Sequence, residues 1–232
     1  MVNNPLGNKS SARGGFDHDL QVLEENLVGL GSMVEKAIVK AVDALKDRDL
    51  EASKLVIEED NIIDNRRNAL EETVVDMIAI QQPVASDLRT LITTLHISME
   101  LERIGDYAEG IAKISLMMND EPPLKKLVDI PRMAEKSSAM LRKSLDALVK
   151  RSTDMAYEVL NSDDEVDALY DQVYRELLML MIQEPKAIQR GTYLLWAAHD
   201  LERIADRATN IAEQVVYLVT GSTVEKGKIY KD

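Results

Sequence analysis

Four pairs of carboxylates spaced four residues apart are the side chains here best suited to chemistry: Asp60 with Asp64, Glu102 with Asp106, Asp163 with Asp167, and Glu202 with Asp206. On an α-helix, positions four apart lie one above the other on one face, and like charges there repel by a few tenths of a kcal/mol. In a chain with 41 acidic residues, any single pair is most simply a solvated helix face. Their placement around two prolines sets the four apart. Asp64 and Glu102 each stand 19 residues from Pro83, and Asp60 and Asp106 each stand 23 from it. Around Pro185 the distances are 18 and 17 for Asp167 and Glu202, and 22 and 21 for Asp163 and Asp206. If each proline marks a tight turn between antiparallel helices, each hairpin brings four carboxylates to one level.

Clustered carboxylates with nothing to neutralise them work against folding. The remedy is a hard cation held through oxygen, or ion pairs, for which Arg66, Arg67, Arg103 and Arg203 are at hand. With no cysteine and only His18, His96 and His199, a metal here would be held mainly by oxygen, which suits Mg, Ca, Mn or iron better than structural zinc. A di-iron carboxylate enzyme would need histidine three residues after glutamate, whereas His199 comes three residues before Glu202 and Met99 holds the matching place. Neither a Ser/His/Asp set nor a Gly-rich phosphate loop can be assembled, and Met77, Met117, Met118, Met179 and Met181 read as core filler.

The elements that must position these side chains are helices. Leu20, Leu23, Leu27, Leu30, Val34, Ala37, Ala41 and Leu45 recur at threes and fours, giving a first helix from Asp17. A second runs from about 50 to the glutamines before Pro83, with Leu55, Ile62, Ala69, Val74, Met77 and Ile78 as its buried side. A third starts at Pro83 and reaches about Met118, with Leu101, Ile104, Ala108 and Ile111 on the side away from Glu102 and Asp106. After Asp120-Glu121-Pro122-Pro123 the pattern repeats, with helices expected at 127–150, 152–183 and 185–219. VDAL at 42–45 returns as LDAL at 145–148, and LERIGD at 101–106 as LERIAD at 201–206. A period near 100 with two copies is a duplicated domain rather than a solenoid. The expected organisation is all-α: a disordered tail at 1–16, a three-helix repeat at 17–118, a linker at 119–126, a second repeat at 127–220, and a polar tail at 221–232.

Composition agrees. The chain is 45% hydrophobic but only 4% aromatic, the mixture helix packing uses. A net charge of −13 argues against nucleic acid and for cations or basic protein surfaces as partners. The absence of cysteine, of an apolar leader and of a long uncharged apolar stretch leads us to expect a cytoplasmic protein that meets a membrane only through partners.

At QPVASDLR (82–89), LERIGDYAEGIA (101–112) and LERIADRATNIA (201–212) the sequence resembles the PhoU family, accessory regulators of bacterial phosphate-specific transport. The resemblance runs from about Asp17 to Thr220. It implies two tandem, pseudo-symmetric three-helix bundles, with iron or zinc clusters on the acidic motifs in some members. Carried over by position, the metal ligands are Glu102, Asp106, Glu202 and Asp206, with Asp60, Asp64, Asp163 and Asp167 on the neighbouring helices. Asn210 completes the second motif, while Gly110 replaces asparagine in the first and is expected to weaken that site. The resemblance also implies a non-enzymatic adaptor, often a homodimer, between the ATPase of the phosphate ABC transporter and a phosphate-sensing histidine kinase. Such an adaptor maintains phosphate homeostasis by repressing the starvation response. Read from the carboxylates alone, a ferritin-like metalloenzyme and a metal-free helical scaffold remain the alternatives.

Overall fold

The structure, a computed structural model, describes residues 6–119 and 124–224. Its helices are α1 (Leu6–Asp47), α2 (Leu50–Gln81), α3 (Ala85–Met118), α4 (Asp129–Lys150), α5 (Thr153–Leu160), α6 (Asp163–Gln183) and α7 (Ile188–Thr220), and no strand occurs among the described residues. A 3-10 turn, Pro185–Ala187, leads into α7. Local chemistry sets the ends. The Asp49 carboxylate accepts the Ala52 N–H at the start of α2, and α2 closes on Gln82 in the left-handed region (φ 46°) just before Pro83. α7 closes on Gly221 at φ 77°, where an L side chain would be strained.

α2, α3, α7 and α6 lie side by side as a front layer. α1 and α4 back it, and α5 packs on α4 and α7. α3 and α7 run antiparallel at the centre, tied by His96 Nδ1 to Gln214 Oε1 (3.1 Å), Arg207 to Glu100 (3.3 Å) and Arg89 to the Leu218 carbonyl (3.4 Å). α1 and α4 are antiparallel too, with Arg142 paired to Glu35 and Arg151 to Glu24. The two repeats are thus related by a pseudo-two-fold axis and share one continuous core. Gly31 of α1 sits where any side chain would run into Leu145 of α4, so the two back helices approach closely there.

Several expectations need correction. The stretch 6–16 is helical, not a disordered tail: no proline interrupts it and Phe16 is anchored in the core, so α1 continues to Leu6. Residues 1–5 of that tail, Asp120–Pro123 of the linker and 225–232 of the polar tail lie outside the described residues. The rest of the linker is not free of the core, since Leu124 and Leu127 pack against it. The helix expected at 152–183 is broken into α5 and α6. Asn161 and Ser162 turn back on Tyr157 and Val159, and Asp163, Asp164 and Glu165 open α6 with negative charge where a helix start favours it. On α2 the buried stripe is Val56, Ile63, Leu70, Val74 and Met77, whereas Leu55 and Ile62 are exposed. Val74 and Met77 are buried as expected, but up to Leu70 the stripe sits one residue later than expected, and that rotation carries Asp60 to the edge of the core. Met117 and Met179 are surface side chains, not core filler.

Candidate cation site between α2 and α3

Four helices present the acidic motifs. On α3, Leu101, Ile104, Ala108 and Ile111 are fully buried, as are Leu201, Ile204, Ala208 and Ile211 on α7, which aims Glu102, Asp106, Glu202 and Asp206 away from the core. α2 packs along α3, and α6 along α7. In the first repeat, one oxygen each from Asp60, Asp64 and Asp106 lie within 4.8 Å of one another, the convergence expected from counting outward from Pro83. Glu102 is not in that knot but stands within the electrostatic reach of Asp64 and Asp106.

Asp60 is the inner member. It is only 9% exposed, and its Oδ1 is buried with no hydrogen-bond partner. Burial first, then the charges of Asp64, Glu109 and Asp106, push its carboxyl up to about 6. Burial and the same neighbourhood also raise Asp106, with Asp64 and Glu109 adding to it and Lys113 and Arg103 opposing. Burial likewise raises Glu102, against the pull of Arg67. Gly105 makes the approach possible, since a Cβ there would stand 3.1 Å from Asp60 Oδ1 and 3.2 Å from Ile63 Cγ2. An orphaned buried oxygen beside two further carboxylate oxygens is a donor set a hard cation satisfies, so the residues fit an oxygen-held metal. Such an ion would supply charge neutralisation between two helices.

The second repeat repeats the residues but not the arrangement. Asp163 Oδ1 is again buried and unpartnered, and burial, followed by Asp167, Asp206 and Glu202, raises that carboxyl to about 6. Arg203, however, is inserted among the acids. Its Nε and Nη2 meet the Glu202 carboxylate at 2.7 and 2.9 Å, and its Nη1 meets Asp206 at 2.9 Å. No second group of three acidic or histidine ligands converges within 4.8 Å among the described residues. The ion-pair alternative is therefore realised in one half and the open cluster in the other.

Asn210 does not face the carboxylates of its own repeat: its amide donates to Glu100 Oε2 (3.3 Å) across the α3–α7 interface. Gly110 occupies the mirror position, where a Cβ would stand 3.0 Å from Asp200 Oδ2. These positions belong to the packing of the two central helices, so glycine at 110 removes nothing from the Asp60, Asp64 and Asp106 cluster. His199 is half exposed, its Nδ1 3.9 Å from Asp200 Oδ1 and its ring edge-on to Tyr170, and it belongs to no converging group of three ligands among the described residues. Sequence reasoning missed Glu109 and Gly105. Glu109 lies one turn past Glu102 and Asp106 and was legible as a continuation of that face, whereas the role of Gly105 depends on how closely α2 and α3 approach.

The chain matches the family model described as PhoU domain twice, over residues 27–115 and 130–215. It is 41% identical over 211 residues to a protein of Clostridium acetobutylicum named phosphate-specific transport system accessory protein PhoU homolog, covering 90% of this chain and 96% of that one. It is similar to the crystal structure of PhoU from Pseudomonas aeruginosa at TM-score 0.85 and 36% identity, covering 89% of this chain and all of that one. It is also similar to the phosphate transport system regulatory protein PhoU of Streptococcus pneumoniae at TM-score 0.85 and 33% identity, covering 90% of this chain and 99% of that one.

Proposed function

We propose, from the premise that this chain belongs to the PhoU family, that it is the accessory regulator of a phosphate-specific transport system. Its relatives are named as accessory proteins of transport, not as enzymes. In this reading it is a cytoplasmic, non-enzymatic adaptor between the transporter's ATPase and a phosphate-sensing histidine kinase, and it keeps the starvation response repressed while phosphate is plentiful. The absence of any helix long and apolar enough to cross a membrane, among the described residues, is consistent with contact through partners.

The observation that carries the cation part of the reading is the buried, unpartnered Asp60 Oδ1 beside Asp64 and Asp106. A divalent cation there pins α2 to α3 and makes the first repeat's front face sensitive to metal supply. Deleting the gene tests the regulatory role: phosphate-scavenging genes then run at high phosphate, and normal repression in that strain would refute it. Elemental analysis of gently purified protein tests the cation, with loss of metal in the Asp60→Asn, Asp106→Asn double variant as the expected result. A metal content unchanged by that variant would remove the site.

A further inference from the structure

We propose that the front face of the second repeat, built from Tyr170 and Tyr174 of α6 and Trp196 and His199 of α7, is a docking surface for a basic amphipathic helix of another protein. The duplication supplies the argument. Residues equivalent by the repeat offsets are Arg67, Glu71, His96 and Met99, and in the first repeat the three polar ones pair with one another or with a neighbour while Met99 is exposed. Arg67 pairs with Glu71 at 2.6 Å, and His96 meets Gln214 at 3.1 Å. The fold therefore accepts polar and charged side chains at three of these places; Tyr170 packs against the core, whereas Tyr174 and Trp196 stand exposed and are not demanded by packing. In a chain with one Trp, seven Tyr and one Phe, three of those nine gather here.

The patch is exposed. Trp196 is 51% accessible and Tyr174 45%, and Leu178, one turn on from Tyr174, is 39% accessible. Tyr170 stacks edge-on against His199 (centroids 6.3 Å), and Trp196 leans on Tyr193 at 5.7 Å. Large amphipathic rings of this kind are the anchors protein interfaces favour. From Tyr170 to Leu178 along α6 is about 12 Å, the span of apolar anchors at i, i+4 and i+7 on a partner helix.

Charge selects the occupant. The patch runs into exposed Asp164, Asp167 and Asp171, and the whole chain carries −13. A second copy would bring the same sign to the same place, whereas a helix with Lys or Arg flanking an apolar stripe meets both features. The inference rests on the reading of the chain as an adaptor and adds where one partner sits. The gene deletion tests that reading without reference to this face, so the two can fail separately.

The test uses the full chain and a labelled peptide of about 18 residues made of Leu and Lys with an apolar stripe, against the same residues shuffled so that Leu is spread around the helix. At about 0.15 M salt the striped peptide should bind at least about tenfold more tightly than the shuffled one, and the emission of Trp196 should shift to the blue. The Tyr174→Glu, Trp196→His double variant, which carries the first repeat's own residues, should lose at least about tenfold in affinity while keeping its melting temperature. A control variant, Glu71→Gln, should bind as the parent does. Equal binding of the two peptides, or undiminished binding by the double variant, would overturn the proposal. A parent that sediments as a dimer and a double variant that sediments as a monomer would also overturn it, by assigning the face to a second copy.

Discussion

Replacing Asp60 by Asn should make the cation-free protein more stable. Asp60 is almost fully buried, its Oδ1 has no partner, and its carboxyl is raised from 3.8 to about 6, chiefly by burial and then by Asp64. Because the folded form holds this proton more tightly than the unfolded chain does, the ionised group opposes folding. That penalty is absent below pH 3.8, grows between 3.8 and about 6, and is complete above. A gap of about 2 pH units at 1.36 kcal/mol each is about 3 kcal/mol. The amide leaves an uncharged polar group unpaired at roughly 1 kcal/mol, so the net gain above pH 6 is about 2 kcal/mol. For a protein of this size that raises Tm by about 4–8 °C.

Cation reverses the order. At a hundredfold excess over its Kd, Mn²⁺ or Ca²⁺ stabilises the parent by about 2.7 kcal/mol and leaves the variant unmoved. Thermal unfolding followed by circular dichroism, at several pH values across the 3.8–6 window and above it, with chelator and then with cation, reads both effects. The reasoning is refuted if the chelated variant melts below the parent at neutral pH, or if cation stabilises both equally.

Arg203→Met should release Glu202 and Asp206, lowering stability of the cation-free protein by about 1–3 kcal/mol and adding cation-binding capacity that calorimetry detects; an unchanged stoichiometry would rule out Arg203 as the group that closes the second site. Gly105→Ala sets overpacking against Asp60 and Ile63 against a gain in helix propensity, so stability should shift by about 1 kcal/mol or less while cation affinity falls; equal affinity would show that α2 and α3 separate freely. Gly31→Val forces Leu145 aside and should lower the unfolding free energy by about 1–3 kcal/mol in urea titration, whereas a neutral result would mean that α1 and α4 adjust without strain.

The helices were legible because their signals are local and repeated. Leu23, Leu27, Leu30 and Val34 mark the buried side of α1 correctly, and Gln82 before Pro83 ends α2 where the proline demands. The level of the carboxylates was legible too, since distance from a turn fixes height in an antiparallel pair and Asp60, Asp64 and Asp106 do meet. Rotation about the helix axis was not. Leu55 and Ile62 are as apolar as Val56 and Ile63, and only the neighbouring helices decide which of the two sets is inside. The break at Asn161-Ser162 was also hidden, because the corresponding stretch of the first repeat runs through unbroken in α2.

The limit is sharpest where the two halves are most alike. LERIGD and LERIAD differ at one position, and both carry arginine after the glutamate. Arg203 locks Glu202 and Asp206, whereas Arg103 makes no ion pair among the described residues and only softens the field at Glu102 and Asp106. The neighbours across the pseudo-two-fold axis differ as well: the position of Tyr107 on α3 is taken on α7 by Arg207, which pairs with Glu100. Gly110 against Asp200 and Asn210 against Glu100 show the same asymmetry one turn away. A motif copied by duplication keeps its residues but not its neighbours, and for charged side chains the neighbours decide between an open oxygen cluster and a closed ion pair. That is why the motif alone points to the first copy, with its Gly110, as the weaker one, whereas the packed helices leave the carboxylates of that copy open and close those of the second with Arg203.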